Sequence, residues 1–164
     1  MQTSAIDSEG TALEIAARRS SVRQWRAFVD ALAAALATTV DDEATRDILA
    51  KTGAGVAEAH PIAPCPTLAD LAAAINANLE HLEWGQIEIR ETERALDIIL
   101  AGYPYFETAD GRAVFAAVFE SLLDRWLAAQ ASRPDLAVRL ARSTGGAYPA
   151  LVFRYERSAP LEAR

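Results

Sequence analysis

The spacing of apolar residues changes at Gly85, and this change indicates that the chain contains both helices and strands. Before Gly85, apolar residues recur every three or four positions, as on one face of a helix. They are Leu68, Leu71, Ala72, Ile75, Leu79 and Leu82. After Gly85, Ile87 and Ile89 alternate with polar residues, as in a strand with one buried face. Both patterns in one short chain predict an α+β fold.

Two more helices are predicted nearer the N-terminus. The first begins near Ser21, and its apolar stripe consists of Trp25, Phe28, Val29, Leu32 and Leu36. The second begins at Asp41–Asp42, whose carboxylates suit the positive end of a helix dipole. We expect this second helix to end near Thr52, because Gly53 and Gly55 follow and glycine commonly terminates helices.

A proline-rich segment separates these helices from the next one. Pro61, Pro64 and Pro66 exclude a helix or a central strand here, because proline lacks the backbone donor that both require. Thr67 then has the position of an N-cap, with Asp70 three residues later. The segment is therefore predicted to be a stiff linker that leads into a capped helix.

The second half of the chain has the pattern of two hairpins around a long helix. Leu96, Ile98 and Leu100 continue the alternation in a second strand, which completes the first hairpin. A long helix is predicted from about Arg112 to Ala131. Alternation returns over residues 136–141 and 151–156, on either side of a Gly-Gly turn. The order helices, hairpin, helix, hairpin predicts an antiparallel sheet packed on helices.

The length fits one folded unit. A chain of 164 residues is the usual size of a single domain and is long enough to bury a core. We divide it into an N-terminal arm over residues 1–20, one α+β domain over residues 21–158 and a polar tail over residues 159–164.

Charge and composition exclude several classes of function. A net charge of −7 argues against nucleic-acid binding, which needs clustered Lys and Arg. Cys65 is the only cysteine, and His60 and His81 are the only histidines, so neither a metal nor another cofactor is expected. The sequence shows neither a secretory signal nor an apolar run of about 18 residues, which predicts a cytoplasmic protein that does not insert into a membrane.

Candidate catalytic groups are few. Cys65 and His60 lie five residues apart in the proline-rich linker, but nothing in the sequence orients the histidine as a base, so a passive thiol is favoured. Glu88 with Glu91, and Glu107 with Asp110, show no feature that would raise the pKa of one carboxyl for acid catalysis. The residues themselves therefore favour a protein without an active site.

A loop between the first hairpin and the long helix is rich in aromatic residues. Tyr103, Tyr105 and Phe106 lie in it. Two interpretations remain: the loop packs over one edge of the sheet, or it covers an apolar pocket that binds a small ligand.

One segment carries more information than its periodicity. It consists of Pro64-Cys65-Pro66-Thr67, Leu71, Ile75-Asn76, Leu79, Leu82 and Trp84-Gly85. Together with Arg46–Leu49 before Gly53-Ala54-Gly55, Leu122–Trp126 and the closing Val152–Ser158, it resembles the family of bacterial cellulose synthase D subunits over about residues 22–158.

The resemblance implies an accessory protein rather than a catalyst. Proteins of this family form ring-like homo-octamers, built as a ring or cylinder of dimers. They act with the cellulose synthase complex and other cellulose-operon scaffold proteins to organise synthase complexes, or to guide β-1,4-glucan chains for export and crystalline assembly into biofilm exopolysaccharide. The absence of a signal peptide favours a scaffold in the cytoplasm over a glucan channel in the periplasm.

The resemblance also suggests which residues take part. In the family, the N-terminal arm and first helix face passages that accommodate glucan. The polar groups available there are Arg18, Arg19, Arg23 and Gln24, which could bond sugar hydroxyls or could simply form an exposed arginine face. Three large aromatic residues are expected to anchor interfaces between copies or the core: Trp25, Trp84 and Trp126.

Overall fold

The computed structural model describes residues 25–104, 106–130, 135–144 and 149–157, and it confirms the α+β prediction. Helix α1 covers residues 25–39 of the described part. The other elements are α2 (Asp42–Ala59), α3 (Leu68–Leu82), β1 (Gln86–Glu91), β2 (Leu96–Ala101), α4 (Ala109–Gln130), β3 (Leu136–Ser143) and β4 (Ala150–Arg157).

The four strands form one antiparallel sheet in the order β1-β2-β4-β3. Each predicted hairpin is present, and the two hairpins join where β2 pairs with β4. Ile98 lies opposite Phe153 at this junction, and both side chains are fully buried. A register shift between Leu140 and Arg142 interrupts the pairing of β3 with β4.

Helix α4 lies at the centre of the packing, between the sheet and the first two helices. One side of it supplies Phe119, Leu122, Leu123 and Trp126 to the main core, which they share with the sheet. Its other side presents Val114 and Val118, which pack against Leu36 of α1 and Leu49 of α2. A helix that is apolar on both sides is buried on both sides.

The predicted end of α2 at Thr52 is wrong, because the helix continues to Ala59. Gly53 does not end this helix but allows α2 to approach α4 closely. A Cβ atom at Gly53 would lie 2.3 Å from the backbone oxygen of Val118 and 2.8 Å from the Cβ of Ser121. At the same contact, the Ser121 hydroxyl donates a hydrogen bond of 2.7 Å to the Ala50 carbonyl. The glycine therefore allows two helix backbones to touch.

Replacing Gly53 with Ala should destabilise the protein by about 1–3 kcal/mol, because the added methyl group has no space between the two backbones. Gly55 offers a matched control two residues along the same helix, since a Cβ there would meet nothing within 4 Å. Gly55→Ala should stabilise the protein by about 0.5–1 kcal/mol through helix propensity. Urea unfolding measures both, and equal effects of the two substitutions would contradict the close contact.

Both outer edges of the sheet are capped by side chains from helices. At the β1 edge, the Asn76 side chain of α3 accepts a hydrogen bond from the Ile87 N–H (2.7 Å) and donates one to the Ile87 carbonyl (3.0 Å). At the β3 edge, α4 supplies two carboxylates. Asp124 accepts from the Val138 N–H at 2.8 Å, and Glu120 accepts from the Leu140 N–H at 2.6 Å. Capped edges resist the addition of a further strand.

Asn76→Ala should lower the free energy of unfolding by about 1–3 kcal/mol, because it leaves both backbone groups of Ile87 without their partner in a half-buried position. The Ile87 amide hydrogen should also exchange faster. Glu80→Ala, at an exposed position one turn further along α3, should change stability by less than about 0.5 kcal/mol. Chemical denaturation and amide hydrogen exchange test this, and unchanged exchange at Ile87 in Asn76→Ala would refute the edge cap.

Candidate assembly surface

The outer side of α1 is apolar and exposed. Trp25 is 56% exposed, Phe28 60% and Leu32 39%, and Ile48 of the neighbouring α2 is 42% exposed. These four account for four of the six exposed large apolar side chains in the described residues. Trp25 and Phe28 meet edge to face, with ring centroids 5.9 Å apart. Single exposed apolar residues are ordinary, but a cluster of them marks an interaction surface.

Beneath this cluster lies a groove of about 320 Å³ between α1, α2 and α4. Its floor is aromatic: Phe115 lies 5.5 Å from Trp84 and 5.4 Å from Phe106, measured between ring centroids. Thr52 and Glu83 are the only polar residues in the lining that the described residues provide. We call the four exposed side chains together with this groove the α1–α2 face.

A hydrogen bond from the start of α4 holds α1 in position beside the groove. The Thr108 hydroxyl accepts from the Gly111 N–H at 2.9 Å, which caps α4, and it donates to the carboxylate of Asp30 on α1. Gly111 makes this approach possible, because a Cβ at that position would lie 2.1 Å from Asp30 Oδ1. The start of α4 therefore fixes where α1 lies.

Two ion pairs of the described residues lie away from this face, on the outer side of the sheet. Arg154 contacts Asp97 at 2.9 Å, and Arg90 contacts Glu88 at 2.8 Å. The hydrogen bond from Arg90 lowers the pKa of Glu88 from its ordinary value, with a smaller contribution from the charge of Arg90. An exposed pair such as Arg90 with Glu88 contributes little to stability. The outer side of the sheet thus carries charged pairs, whereas the α1–α2 face is apolar.

The structure gives the three predicted tryptophans different surroundings. Trp126 is 2% exposed in the core, and its Nε1 donates to the His60 carbonyl at 2.9 Å. Trp84 is half-buried on the groove floor, whereas Trp25 is exposed on α1. The predicted glucan-lining residues Arg18, Arg19, Arg23 and Gln24 lie outside the described residues.

The aromatic loop contributes both to the core and to the groove. Phe106 is 2% exposed, and Tyr103 stacks on Phe115 with ring centroids 5.6 Å apart. Pro104 and Phe106 also border the groove. Tyr105 lies outside the described residues. Packing of the loop over the core and a pocket beside it are therefore both features of this structure.

The candidate catalytic and acidic groups have structural partners. The Cys65 thiol donates to the Ala63 carbonyl at 3.2 Å, while the ring of His60 lies beside His81. Asp41 caps α2 by accepting from the Glu43 and Ala44 N–H groups. Over the described ranges, no group of three or more His, Cys, Asp or Glu side chains could hold a metal ion.

Comparison with known proteins assigns the chain to a family. A family model for the D subunit of cellulose synthase matches residues 11–155. The chain belongs to the cellulose synthase D-subunit family. Membership gives the protein a role in cellulose synthesis and associates it with the cellulose synthase complex. Among curated proteins, none matches this sequence.

In the described part of the chain, each helix is too short or too polar to cross a bilayer.

Two residues of the α1–α2 face, Phe28 and Ile48, were not singled out from the sequence as functional residues. Phe28 belongs to the predicted stripe of α1, but periodicity does not tell which part of a wide stripe is covered.

Asp30→Ala should release α1 from the start of α4, because it removes the acceptor of the Thr108 hydroxyl. We expect a loss of about 1 kcal/mol and faster amide exchange in residues 25–39, with unchanged exchange in the sheet. Asp47→Ala, an exposed carboxylate on α2, is the control. Hydrogen exchange read by mass spectrometry makes the comparison, and equal exchange of α1 in both variants would contradict the proposed tether.

Proposed function

We propose that this protein is a non-catalytic accessory subunit of the bacterial cellulose synthase system. It assembles with copies of itself through the α1–α2 face into a ring-like oligomer. The assembly organises synthase complexes, guides glucan chains, or both. The observation that carries the proposal is an exposed, largely apolar face on a member of the cellulose synthase D-subunit family.

Composition supports self-association through this face. Interface centres are poor in charge and rich in aromatic residues, and here Trp25 and Phe28 stand beside an apolar groove. In a two-fold dimer the same patch meets itself. The projecting rings of one copy then have the groove of the other to fill, which favours an isologous contact.

The sheet edges are a second reason to place the contact between copies at the α1–α2 face, because contact through those edges is disfavoured. Asn76 at β1, and Glu120 with Asp124 at β3, occupy some of the backbone groups to which a strand from another copy would bond, namely those of Ile87 and the N–H groups of Val138 and Leu140. Copies therefore associate through helices rather than by extending the sheet. Dimers formed at the α1–α2 face are the units of the eight-membered ring or cylinder that the family resemblance implies.

Three further parts of the proposal concern the cellular location of the assembly, the bounds of the folded unit and the residues that contact glucan. We place the assembly in the cytoplasm beside the synthase, with the periplasm as the alternative that cell fractionation distinguishes. The folded unit is residues 21–158, with an arm before it and a tail after it. Arg18, Arg19, Arg23 and Gln24 come before the described part of α1 in the sequence and are proposed to contact glucan inside the ring.

A small-ligand-binding domain is the second candidate function. The groove of about 320 Å³ favours it, because this volume lies at the lower end of ligand pockets and the lining is apolar. This candidate predicts a monomer or dimer whose groove binds a small apolar compound. Tryptophan fluorescence on titration with such compounds tests it, because Trp25 and Trp84 both line the groove.

Leu32→Asp should break the assembly, because it places a charge at the centre of the α1–α2 face. Leu68→Asp is a matched control, since both leucines are 39% exposed and Leu68 lies at the start of α3, where Asp is favourable. Light scattering after size exclusion should give the mass of several chains for wild type and Leu68→Asp. The mass of Leu32→Asp should fall clearly below that of wild type, because the dimeric units no longer form at this face.

The same variants test the cellular role. In cells that lack the native protein, Leu68→Asp should restore cellulose output or order and Leu32→Asp should not. A monomeric wild type would refute assembly outright. An intact oligomer in Leu32→Asp would show that the interface lies elsewhere. Normal cellulose made with a dissociated Leu32→Asp protein would show that the function does not require assembly.

A further inference from the structure

We propose that His60 and His81 form a two-histidine site for a late first-row divalent metal ion, with Cu²⁺ bound most tightly. The two residues are 21 positions apart in the sequence, and the structure brings their rings together. The ring centroids lie 5.6 Å apart, and the ring planes are inclined at 54°. The two rings are therefore not stacked in parallel.

The backbone of His60 is held from three sides. It ends α2, where its N–H donates to the Val56 carbonyl at 3.0 Å. Its own carbonyl accepts from Trp126 Nε1 on α4 at 2.9 Å and from Asn78 Nδ2 on α3 at 3.0 Å. This position therefore has little freedom to move relative to α3 or α4.

The Asn78 hydrogen bond also explains why His81 faces His60. Residues three apart on a helix lie on the same side, so His81 points toward the same part of the structure as Asn78. Asn78 in turn contacts His60. The ring pair is thus a consequence of the contact between α3 and the end of α2, and it exists before any ion binds.

The distance between the rings suits a shared ion. A metal–nitrogen bond of about 2.0–2.1 Å puts each ring centre about 3.2 Å from the metal, so two rings at tetrahedral to trigonal angles are about 5.2–5.5 Å apart. The observed 5.6 Å lies within a few tenths of an ångström of this range, and the exposed His81 side chain is free of packing that would prevent it from turning its nitrogen toward an ion.

The chemistry of the site favours a soft or borderline cation. Within residues 25–104 and the other described ranges, neither imidazole is engaged in a hydrogen bond or an ion pair through its ring. Both histidines also lie at the C-terminal ends of helices, where the helix dipole favours a positive charge. Imidazole pairs select copper, zinc and nickel over magnesium and calcium, and copper is highest in the affinity series. Water fills the remaining coordination positions.

The test is titration of the full-length protein with CuCl₂, ZnCl₂ and MgCl₂, followed by calorimetry and thermal melting. All proteins carry Cys65→Ser so that the thiol is not a ligand. We expect one Cu²⁺ per chain, weaker Zn²⁺ binding, no response to Mg²⁺ and a melting temperature that rises with the metal and falls back with a chelator. The electron paramagnetic resonance spectrum of bound Cu²⁺ should show coupling to two nitrogens.

Two variants make the outcome decisive. His81→Ala removes an exposed ligand and should leave the metal-free melting temperature unchanged, while it weakens Cu²⁺ binding by about tenfold or more and reduces the coupling to one nitrogen. Asn78→Ala should weaken binding less, by loosening His60. Unchanged binding in His81→Ala, one ion per two chains, or an absence of Cu²⁺ binding at submillimolar concentration would each overturn the site.

Discussion

The contact between α2 and α4 at Gly53 determines where the other elements can lie. Because the glycine has no side chain, the two backbones approach until a Cβ there would sit 2.3 Å from the Val118 oxygen. With α2 this close, α4 is enclosed between the helices and the sheet, and its apolar residues are buried on both sides. Helix α1 then rests on the pair, held by Asp30 at the cap of α4. Its outer stripe has no further element to cover it among the described residues.

The positions of the capped, charged and apolar surfaces follow from this arrangement of helices and sheet. Helix side chains bond to backbone groups at both sheet edges, which disfavours the addition of another strand there. The outer side of the sheet carries ion pairs such as Arg154 with Asp97, which are compatible with water. The α1–α2 face is where large exposed apolar side chains cluster in the described part of the chain. In a family that serves cellulose synthesis, we interpret this face as the place where copies of the chain meet.

The sequence predicts those helices, strands and caps whose pattern lies within a few neighbouring residues. Periodicity predicts the helices and hairpins, and Thr67 caps α3 as its spacing with Asp70 indicates. The prediction that Gly53 ends a helix is wrong, because a glycine that stops a helix and one that admits a neighbouring helix look alike along the chain. Asn76 belongs to the recognised signature, yet its role at the β1 edge depends on a partner eleven residues away. Trp25 and Trp126 have similar sequence patterns but opposite exposure, which tertiary packing alone decides.

Hydroxyl-radical footprinting of the native wild-type protein tests the central claim most directly. In a single chain Trp25 and Phe28 are 56% and 60% exposed, so isolated chains should be oxidised rapidly at both rings. If the α1–α2 face is the contact between copies, both rings should be protected at working concentration and should lose that protection on dilution. The exposed Leu140 on β3 should react equally at both concentrations. Rapid oxidation of Trp25 and Phe28 in a protein shown to be oligomeric would contradict the account.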